Sequence, residues 1–396
     1  MIKIGIITIL RCNNYGAELQ AFATQKKIEL MGYDAEIIDY LYYKHPHFKP
    51  TKASSPINIS IKNRCIEFIK YRILNPLIEH ILPIFIPAQK RRNQKFNSFH
   101  ELNTKLSPQY RSYEKLYQNH KNYDVYMVGS DQVWNPYTGT NLAPYFLTFA
   151  PQNAPKIAYA SSFGVSQIPE KLIPQYKTWL NFINSLSVRE EAGIKIIKQI
   201  TGRDAELVID PTLLLNSKEW EMISSTGYYP EGDYILIYQV SYNKFIVDFA
   251  KYLSQINNNI PVYSIVFRTF LNHKDAGIQN ITDAGPADFV SLISHAKLVV
   301  TSSFHGTAFS INLKKQFFTI LNRNGKRNSR ITSLLKQLDL SERIIYDDSD
   351  LKSVHIVEYN TENTQKKLSA LRASSETYID NAISSFKNYN YDKSIN

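Results

Sequence analysis

Ile2-Lys3-Ile4-Gly5-Ile6-Ile7-Thr8-Ile9 is a β-branched run of the kind that a parallel sheet buries on both faces. Residues 17–31 then carry Leu19, Phe22, Ala23, Ile28, Leu30 and Met31 at mostly helical spacing, and Gly32 supplies a helix stop. Ala35-Glu36-Ile37-Ile38-Asp39-Tyr40 is a second strand, so residues 1–40 predict one βαβ unit. The loop Arg11-Cys12-Asn13-Asn14-Tyr15-Gly16 therefore lies at the carboxyl end of the first strand, where open α/β sheets bind ligands.

Outward from this unit, residues 41–120 turn aromatic and basic. Lys90, Arg91, Arg92, Lys95, Lys105, Arg111, Lys115 and Lys121 outnumber Glu101 and Glu114, and helical spacing returns only in pieces, which reads as a helical insertion. Strands are expected again at 123–129 and 156–162. A second α/β block follows, with strands at 185–188, 205–209, 234–240, 261–266, 298–301 and 317–321. Its helices fall near 191–201, 243–255, 287–296 and 306–313. This alternation predicts an α/β protein of two parallel-sheet, Rossmann-like domains facing a cleft. The expected bounds are 1–184 and 185–360, then a terminal helix over 361–386 and a flexible tail over 387–396.

Composition fits a globular chain. Its 396 residues suit two domains, 43% are hydrophobic and 20% charged. Two cysteines, Cys12 and Cys65, make neither a disulfide framework nor a zinc site. The first apolar run ends at Arg11 without a signal-peptide cleavage pattern, and residues 73–88 are too interrupted to span a membrane, so a soluble cytoplasmic protein is expected. The formal charge of +11 points to an anionic partner: nucleic acid, a membrane surface or a small anionic substrate.

Leu298-Val299-Val300-Thr301-Ser302-Ser303-Phe304-His305-Gly306-Thr307-Ala308 carries the sharpest chemical signal. A strand runs into small polar residues, Phe304, His305 and Gly306, and then a helix whose free N–H groups favour anions. The ordinary alternative is a packing histidine. Arg189 follows a short strand, where a guanidinium can hold a carboxylate or phosphate bidentately; an ion pair with Glu190, Glu191 or Asp210 is the alternative. Asp131 in Val128-Gly129-Ser130-Asp131-Gln132-Val133-Trp134-Asn135 can orient or deprotonate a hydroxyl, or merely cap a turn. Trp134 is core or a sugar-stacking platform. Arg327 and Arg330 are candidates for an anion cradle, with a solvated basic turn as the alternative. Asn13, Asn14 and Gly16 offer amide hydrogen bonds and close backbone approach. The loop is not GxGxxG, and the chain holds no Walker A, HExxH or GxSxG motif.

Asn13-Asn14-Tyr15-Gly16-Ala17-x-Leu19-Gln20-Ala21, Val128-Gly129-Ser130-Asp131-Gln132-x-Trp134-Asn135, Ser187-Val188-Arg189-Glu190, Asp210-Pro211-Thr212 and Ser303-Phe304-His305-Gly306-Thr307 resemble, in order and separation, the polysaccharide pyruvyl transferase family. The resemblance spans roughly residues 1–345. It implies a glycosyltransferase B-like architecture and transfer of pyruvyl from phosphoenolpyruvate to a sugar of a cell-surface polysaccharide such as a capsule or exopolysaccharide, or of its precursor. It implies a donor side held by Arg189 and by Ser303-Phe304-His305, with Asp131 as its acidic residue. Gly306, Arg327 and Arg330 complete the expected donor set, and His305 and Asp131 are the expected catalytic pair because an imidazole can give and take a proton and a carboxylate can orient a hydroxyl. The family's Arg-Leu-His tripeptide reads Ser303-Phe304-His305 here, so one donor cation is replaced by serine. Asn13, Asn14, Tyr15, Gly16, Gln132 and Trp134 are the expected acceptor set, in the N-terminal domain. No metal and no cofactor beyond phosphoenolpyruvate as co-substrate are expected, and Mg2+ on the phosphate stays compatible with the scheme. The acceptor is a sugar, lipid-linked or not, and the basic insertion raises peripheral contact with the inner membrane face as an expectation. Two alternatives remain: a nucleotide-sugar glycosyltransferase on the same architecture, and a basic nucleic-acid-binding protein, although no nucleic-acid-binding motif is present.

Overall fold

A computed structural model describes residues 1–55, 66, 69–74, 81–266, 275–323, 325, 328–351, 354 and 357–393. The chain divides into two compact units. Unit 1 comprises Met1–Leu82, His100–Leu214 and Leu371–Asn396, and unit 2 comprises Pro83–Phe99 and Leu215–Ala370.

In unit 1 the β-branched runs form β1 (Lys3–Ile7), β2 (Asp34–Ile37), β3 (Val125–Val128) and β4 (Lys156–Ala158), all parallel, in the order β2-β1-β3-β4. β5 (Ser187–Val188) pairs with β6 (Glu206–Leu207), and single bridges Ile157↔Ser185 and Ser161↔Val188 continue the sheet from β4 into β5. The resulting order, 2-1-3-4-5, is that of flavodoxin-like sheets, whose switch point lies between the first and third strands. Gly5 lets Tyr123 lie against β1, since a Cβ there would stand 2.4 Å from the tyrosine ring. α1 (Tyr15–Leu30) starts on Asn14, whose side-chain oxygen accepts from the N–H groups of Gly16 and Ala17. An aromatic core of Trp134, Phe146, Phe163, Tyr176 and Trp179 packs beside the sheet.

In unit 2, β7 (Ile235–Tyr238), β8 (Val262–Ile265), β9 (Ile278–Ile281), β10 (Leu298–Thr301), β11 (Gln316–Leu321) and β12 (Ile344–Tyr346) form a parallel sheet ordered β12-β11-β10-β7-β8-β9. Counted within the unit this is the Rossmann order 3-2-1-4-5-6, with its switch point between β7 and β10. The helices are α2 (Lys244–Ile256), α3 (Pro286–His295), α4 (Phe304–Asn312) and α5 (Ser329–Gln337), followed by α6 (Thr361–Lys393).

The expected class, two parallel-sheet Rossmann-like units, is the observed one. Boundaries differ. Residues 185–214 belong to unit 1 because β5 extends its sheet, so the break expected at 184/185 falls at 214/215. Residues 83–99 of the insertion belong to unit 2. There, in the helix Pro87–Asn103, Arg91 pairs with Asp283 at 2.6 Å, and Lys95 pairs with Asp288 at 2.7 Å while lying over the Tyr228 ring. Lys105 and Lys121 pair with Asp34 and Glu36 of unit 1. Half of the named cations in that run thus face carboxylates of their own unit. The terminal helix runs to Lys393 instead of ending at 386. From Leu371 it is counted with unit 1, where Ser375 accepts from Ile209 N–H, Tyr378 donates to Ala158 carbonyl, and Glu376 pairs with Lys27. Strands β9 and β12 and the helix Ile173–Asn181 lack a clear sequence signal and were not anticipated.

Candidate active site

Both switch points fall on residues singled out from the sequence. In unit 1 the loops after β1 and β3 meet: Thr8 donates to the Ser130 carbonyl at 2.9 Å, and Gln20 donates to Thr8 at 2.9 Å. Arg11 and Asn13 adopt left-handed backbone at φ 54° each, an unfavourable conformation for side-chain-bearing residues that surrounding contacts must hold. Glu18, on the first turn of α1, holds the first part of this loop. Its carboxylate accepts from the N–H groups of Cys12 at 2.8 Å and Arg11 at 3.2 Å, and lies 2.6 Å from His100 Nε2. Arg11 makes a forked pair with Asp39, at 3.0 Å from Nε to Oδ1 and 3.1 Å from Nη2 to Oδ2.

After β3, Asp131 has φ 71° and bridges to Ser161. Arg189, at the end of β5, donates through Nη2 to Asp131 Oδ1 at 3.2 Å and through Nη1 to Asp210 Oδ2 at 2.5 Å; its Nε is 3.9 Å from Glu190 Oε2. Its side chain is closed to solvent, whereas that of Asp131 is 15% exposed. Burial works against the charge on Arg189, but Asp210, Asp131 and Glu190 outweigh it and strengthen its hold on the proton. Asp210 is held further by Ser130 and by the Thr212 N–H and hydroxyl; Glu190 accepts from Ser162 and Phe163 N–H. Burial pushes the Cys12 thiol well up, and the negative charge of Glu18 and Asp131 adds to this, which works against the thiolate.

The expected acceptor set divides. Asn13, Asn14 and Gln132 are half-buried. Tyr15, Gly16 and Trp134 are core: Trp134 is 0% exposed, donates to the Tyr145 carbonyl and stacks on Phe146. A direct acceptor contact from these three is therefore corrected to a packing role. Sequence reasoning missed Glu18, His100 and the Arg11–Asp39 fork, whose partners are 28 and 82 residues apart in the two pairs.

In unit 2, β10 ends at Thr301 beside β7. Ser303 caps α4, its hydroxyl accepting from Gly306 N–H at 3.4 Å and its N–H donating to Thr301 Oγ1 at 3.0 Å. The serine that replaces the family's arginine thus holds a helix start, and it is 6% exposed. His305 stands in the first turn of α4, 7% exposed, edge-on to Phe304 with ring centroids 5.2 Å apart. The Arg330 guanidinium lies 5.9 Å from the Phe304 ring. Gly306 is a packing residue: a Cβ would stand 2.3 Å from Thr301 Oγ1 and 3.0 Å from the Tyr238 ring. Ser303 and Gly306 thus also build the turn that presents His305. Arg327 lies outside the described residues. Among the described residues, no three His, Cys, Asp or Glu side chains gather as metal ligands, and no helix is long and apolar enough to cross a membrane.

Two parallel sheets, each with polar side chains at its switch point, define an α/β enzyme scaffold. The chain belongs to the polysaccharide pyruvyl transferase family, an enzyme family, matching it over residues 14–324. No match was found among curated proteins. Among solved structures it is similar to the Candida albicans trehalose-6-phosphate phosphatase N-terminal domain (9% identity, 96% of each chain covered, TM-score 0.49). It is also similar to the UDP-GlcNAc 2-epimerase of Methanocaldococcus jannaschii (14% identity, 93% of this chain and 92% of that one, TM-score 0.45). A third is Acinetobacter baumannii MurG (8% identity, 97% and 99%, TM-score 0.40).

Proposed function

We propose that the protein transfers the pyruvyl unit of phosphoenolpyruvate to a sugar, closing a ketal across two hydroxyls of a cell-surface polysaccharide or its precursor. The observation that carries this reading is the retained His305 at the switch point of unit 2, in a chain of the pyruvyl transferase family. The donor bears about three negative charges near neutral pH. Arg330 and the N–H groups at the start of α4 supply complementary charge.

An imidazole ordinarily titrates at about 6.5, so it can both give and take a proton. His305 delivers a proton to the methylene carbon, the C=C pair becoming the new C–H bond and C2 becoming electrophilic. The acceptor oxygen bonds to C2 as its proton passes to Asp131. The C2–O bond to phosphorus breaks with its electron pair on phosphate, and the second hydroxyl bonds to C2 as its proton leaves on the phosphate. Solvent returns both residues to their starting states, and no metal is required.

The test is to incubate the protein with phosphoenolpyruvate and lipid-linked or nucleotide-linked sugars, with and without a chelator. Phosphate release is expected together with a glycan mass gain equal to pyruvate less water. Thermal stabilisation by a nucleotide sugar, with no response to phosphoenolpyruvate, would favour a glycosyltransferase instead.

A further inference from the structure

Tyr42 follows β2 in unit 1 and is placed by its main chain. The Leu41 N–H donates to the Tyr110 carbonyl at 3.0 Å, and the His45 N–H donates to the Tyr42 carbonyl at 2.8 Å, closing a turn. The Tyr42 ring stands edge-on to Tyr43, with centroids 4.7 Å apart, and Tyr43 stands edge-on to Tyr71 at 5.7 Å. The Lys44 ammonium lies 5.7, 5.4 and 5.6 Å from the centroids of Tyr42, Tyr43 and Tyr71, which ties the three rings into one aromatic wall. A tyrosine this deeply buried ordinarily finds a partner for its O–H. The Tyr42 hydroxyl has none among the described residues. The hydroxyls of Tyr40 and Tyr145 also lack partners, but those two are sealed from water, whereas Tyr42 keeps 8% of its surface exposed. Burial pushes the Tyr42 phenol well up, and Tyr43, Tyr145, Cys12 and Asp131 add to this, so the group keeps its proton and is a hydrogen-bond donor. Cys12 and Asp131 belong to the loops after β1 and β3, so the phenol faces the switch point of its sheet.

We infer that the Tyr42 hydroxyl is a ligand to the acceptor sugar, donating a hydrogen bond to a hydroxyl oxygen outside the pair that is ketalised, and so determines which sugar is modified and where. This rests on the pyruvyl transfer reading above. A neutral O–H set in an aromatic wall complements a sugar, whose C–H faces lie against rings and whose hydroxyl oxygens accept hydrogen bonds. A small trianion is served better by cations and helix-end N–H groups. The oxygen that Tyr42 reads is a non-reacting one, because a hydrogen bond donated to an attacking oxygen would hold back the lone pair it needs. A ketal closes across two hydroxyls, and a sugar offers more than one such pair. A fixed donor to a further hydroxyl makes those pairs inequivalent, and an acceptor without that hydroxyl leaves the phenol unpaired.

The experiment is steady-state kinetics of wild type, Tyr42→Phe and Tyr40→Phe with phosphoenolpyruvate and the best acceptor of the sugar panel, repeated with singly deoxygenated forms of that acceptor. Urea unfolding is read in parallel. Tyr42→Phe is expected to lower kcat/KM for the acceptor by about 2- to 13-fold, the range that a hydrogen bond between neutral groups supplies. KM for phosphoenolpyruvate is expected to stay at its wild-type value. The urea midpoint is expected at or above that of wild type, because the lost hydroxyl leaves no partner behind. One deoxygenated acceptor is expected to be used equally well by wild type and Tyr42→Phe, which identifies the hydroxyl that is read. Tyr40→Phe, which loses a sealed hydroxyl, is expected to keep wild-type kinetics throughout. An unchanged acceptor kcat/KM in Tyr42→Phe, a raised KM for phosphoenolpyruvate in its place, additive losses at every deoxygenated position, or an equal loss in Tyr40→Phe overturns the inference. Failure of the underlying reading looks different, since wild type itself would then release no phosphate from phosphoenolpyruvate with any acceptor.

Discussion

His100 Nε2 lies 2.6 Å from the Glu18 carboxylate, with both side chains almost wholly buried beneath the loop that follows β1. Burial alone would raise the Glu18 carboxyl, but attraction to His100, a hydrogen bond from it, and the N–H groups of Cys12 and Arg11 together bring it below its ordinary value of 4.5. A carboxyl lowered in the folded state contributes stability that is complete above its unfolded value and is lost as pH falls through the folded one. Urea unfolding of wild type is therefore expected to weaken progressively as pH drops below the usual glutamate range. Glu18→Gln is expected to lose about 3–5 kcal/mol at neutral pH, the scale for breaking a buried pair, and to show a flatter acid dependence.

Trp134 lies flat on Phe146, with ring centroids 5.1 Å apart and planes 6° from parallel, and it exposes no surface. Trp134→Ala is expected to cost about 3–5 kcal/mol in urea denaturation, as for large aromatic-to-alanine changes in a core. Trp134→Phe, which keeps most of the ring volume, is expected to leave KM for the acceptor unchanged. A platform that stacks the sugar would instead lose acceptor affinity on this milder change.

Gly306 lets α4 close on β10. The methyl of Gly306→Ala meets Thr301 Oγ1, which is itself held on the Tyr238 carbonyl at 2.6 Å, so the clash has no flexible end to absorb it. The expected loss is about 1–3 kcal/mol of stability, the range for overpacking, measured by chemical denaturation.

His305→Ala is expected to abolish phosphate release from phosphoenolpyruvate in the presence of acceptor, while the circular dichroism spectrum and the thermal shift with phosphoenolpyruvate persist. Arg330→Ala, by contrast, is expected to raise KM for phosphoenolpyruvate by about 10- to 150-fold with kcat little changed, because a lost charge-assisted bond of about 1.5–3 kcal/mol weakens ground-state and transition-state binding alike. Measuring both variants over the same donor series separates the two roles.

Much of the fold was legible because each βα unit is written locally. β10 was read at its observed bounds, Leu298–Thr301, and the helix Glu191–Thr201 likewise, since a β-branched run and a clean helical stripe need no distant partner. β9, with Gln279 and Asn280 at its centre, and β12, three residues long, were missed because short or polar edge strands carry no such pattern. Among candidate site residues, His305 and Asp131 stood out by position at strand ends. The roles of Ser303 and Trp134 did not, because a hydroxyl that caps a helix and one that meets a ligand look the same in a string of letters, as do a buried indole and an exposed one.

The sequence by itself determined the two α/β blocks, the loops at their strand ends and the family, all of which rest on residue types and spacings within short windows. Only the tertiary structure decided the strand orders 2-1-3-4-5 and 3-2-1-4-5-6, and with them the switch points beside which Asp131 and His305 stand, the position at which open α/β sheets in general bind ligands. It also decided what Arg189 faces, by bringing Asp131 from 58 residues upstream and Asp210 from 21 downstream onto one guanidinium. Strand order and charge pairing are set by which segments lose water together across long loops, and that cooperation between distant parts of the chain leaves no local periodicity to read.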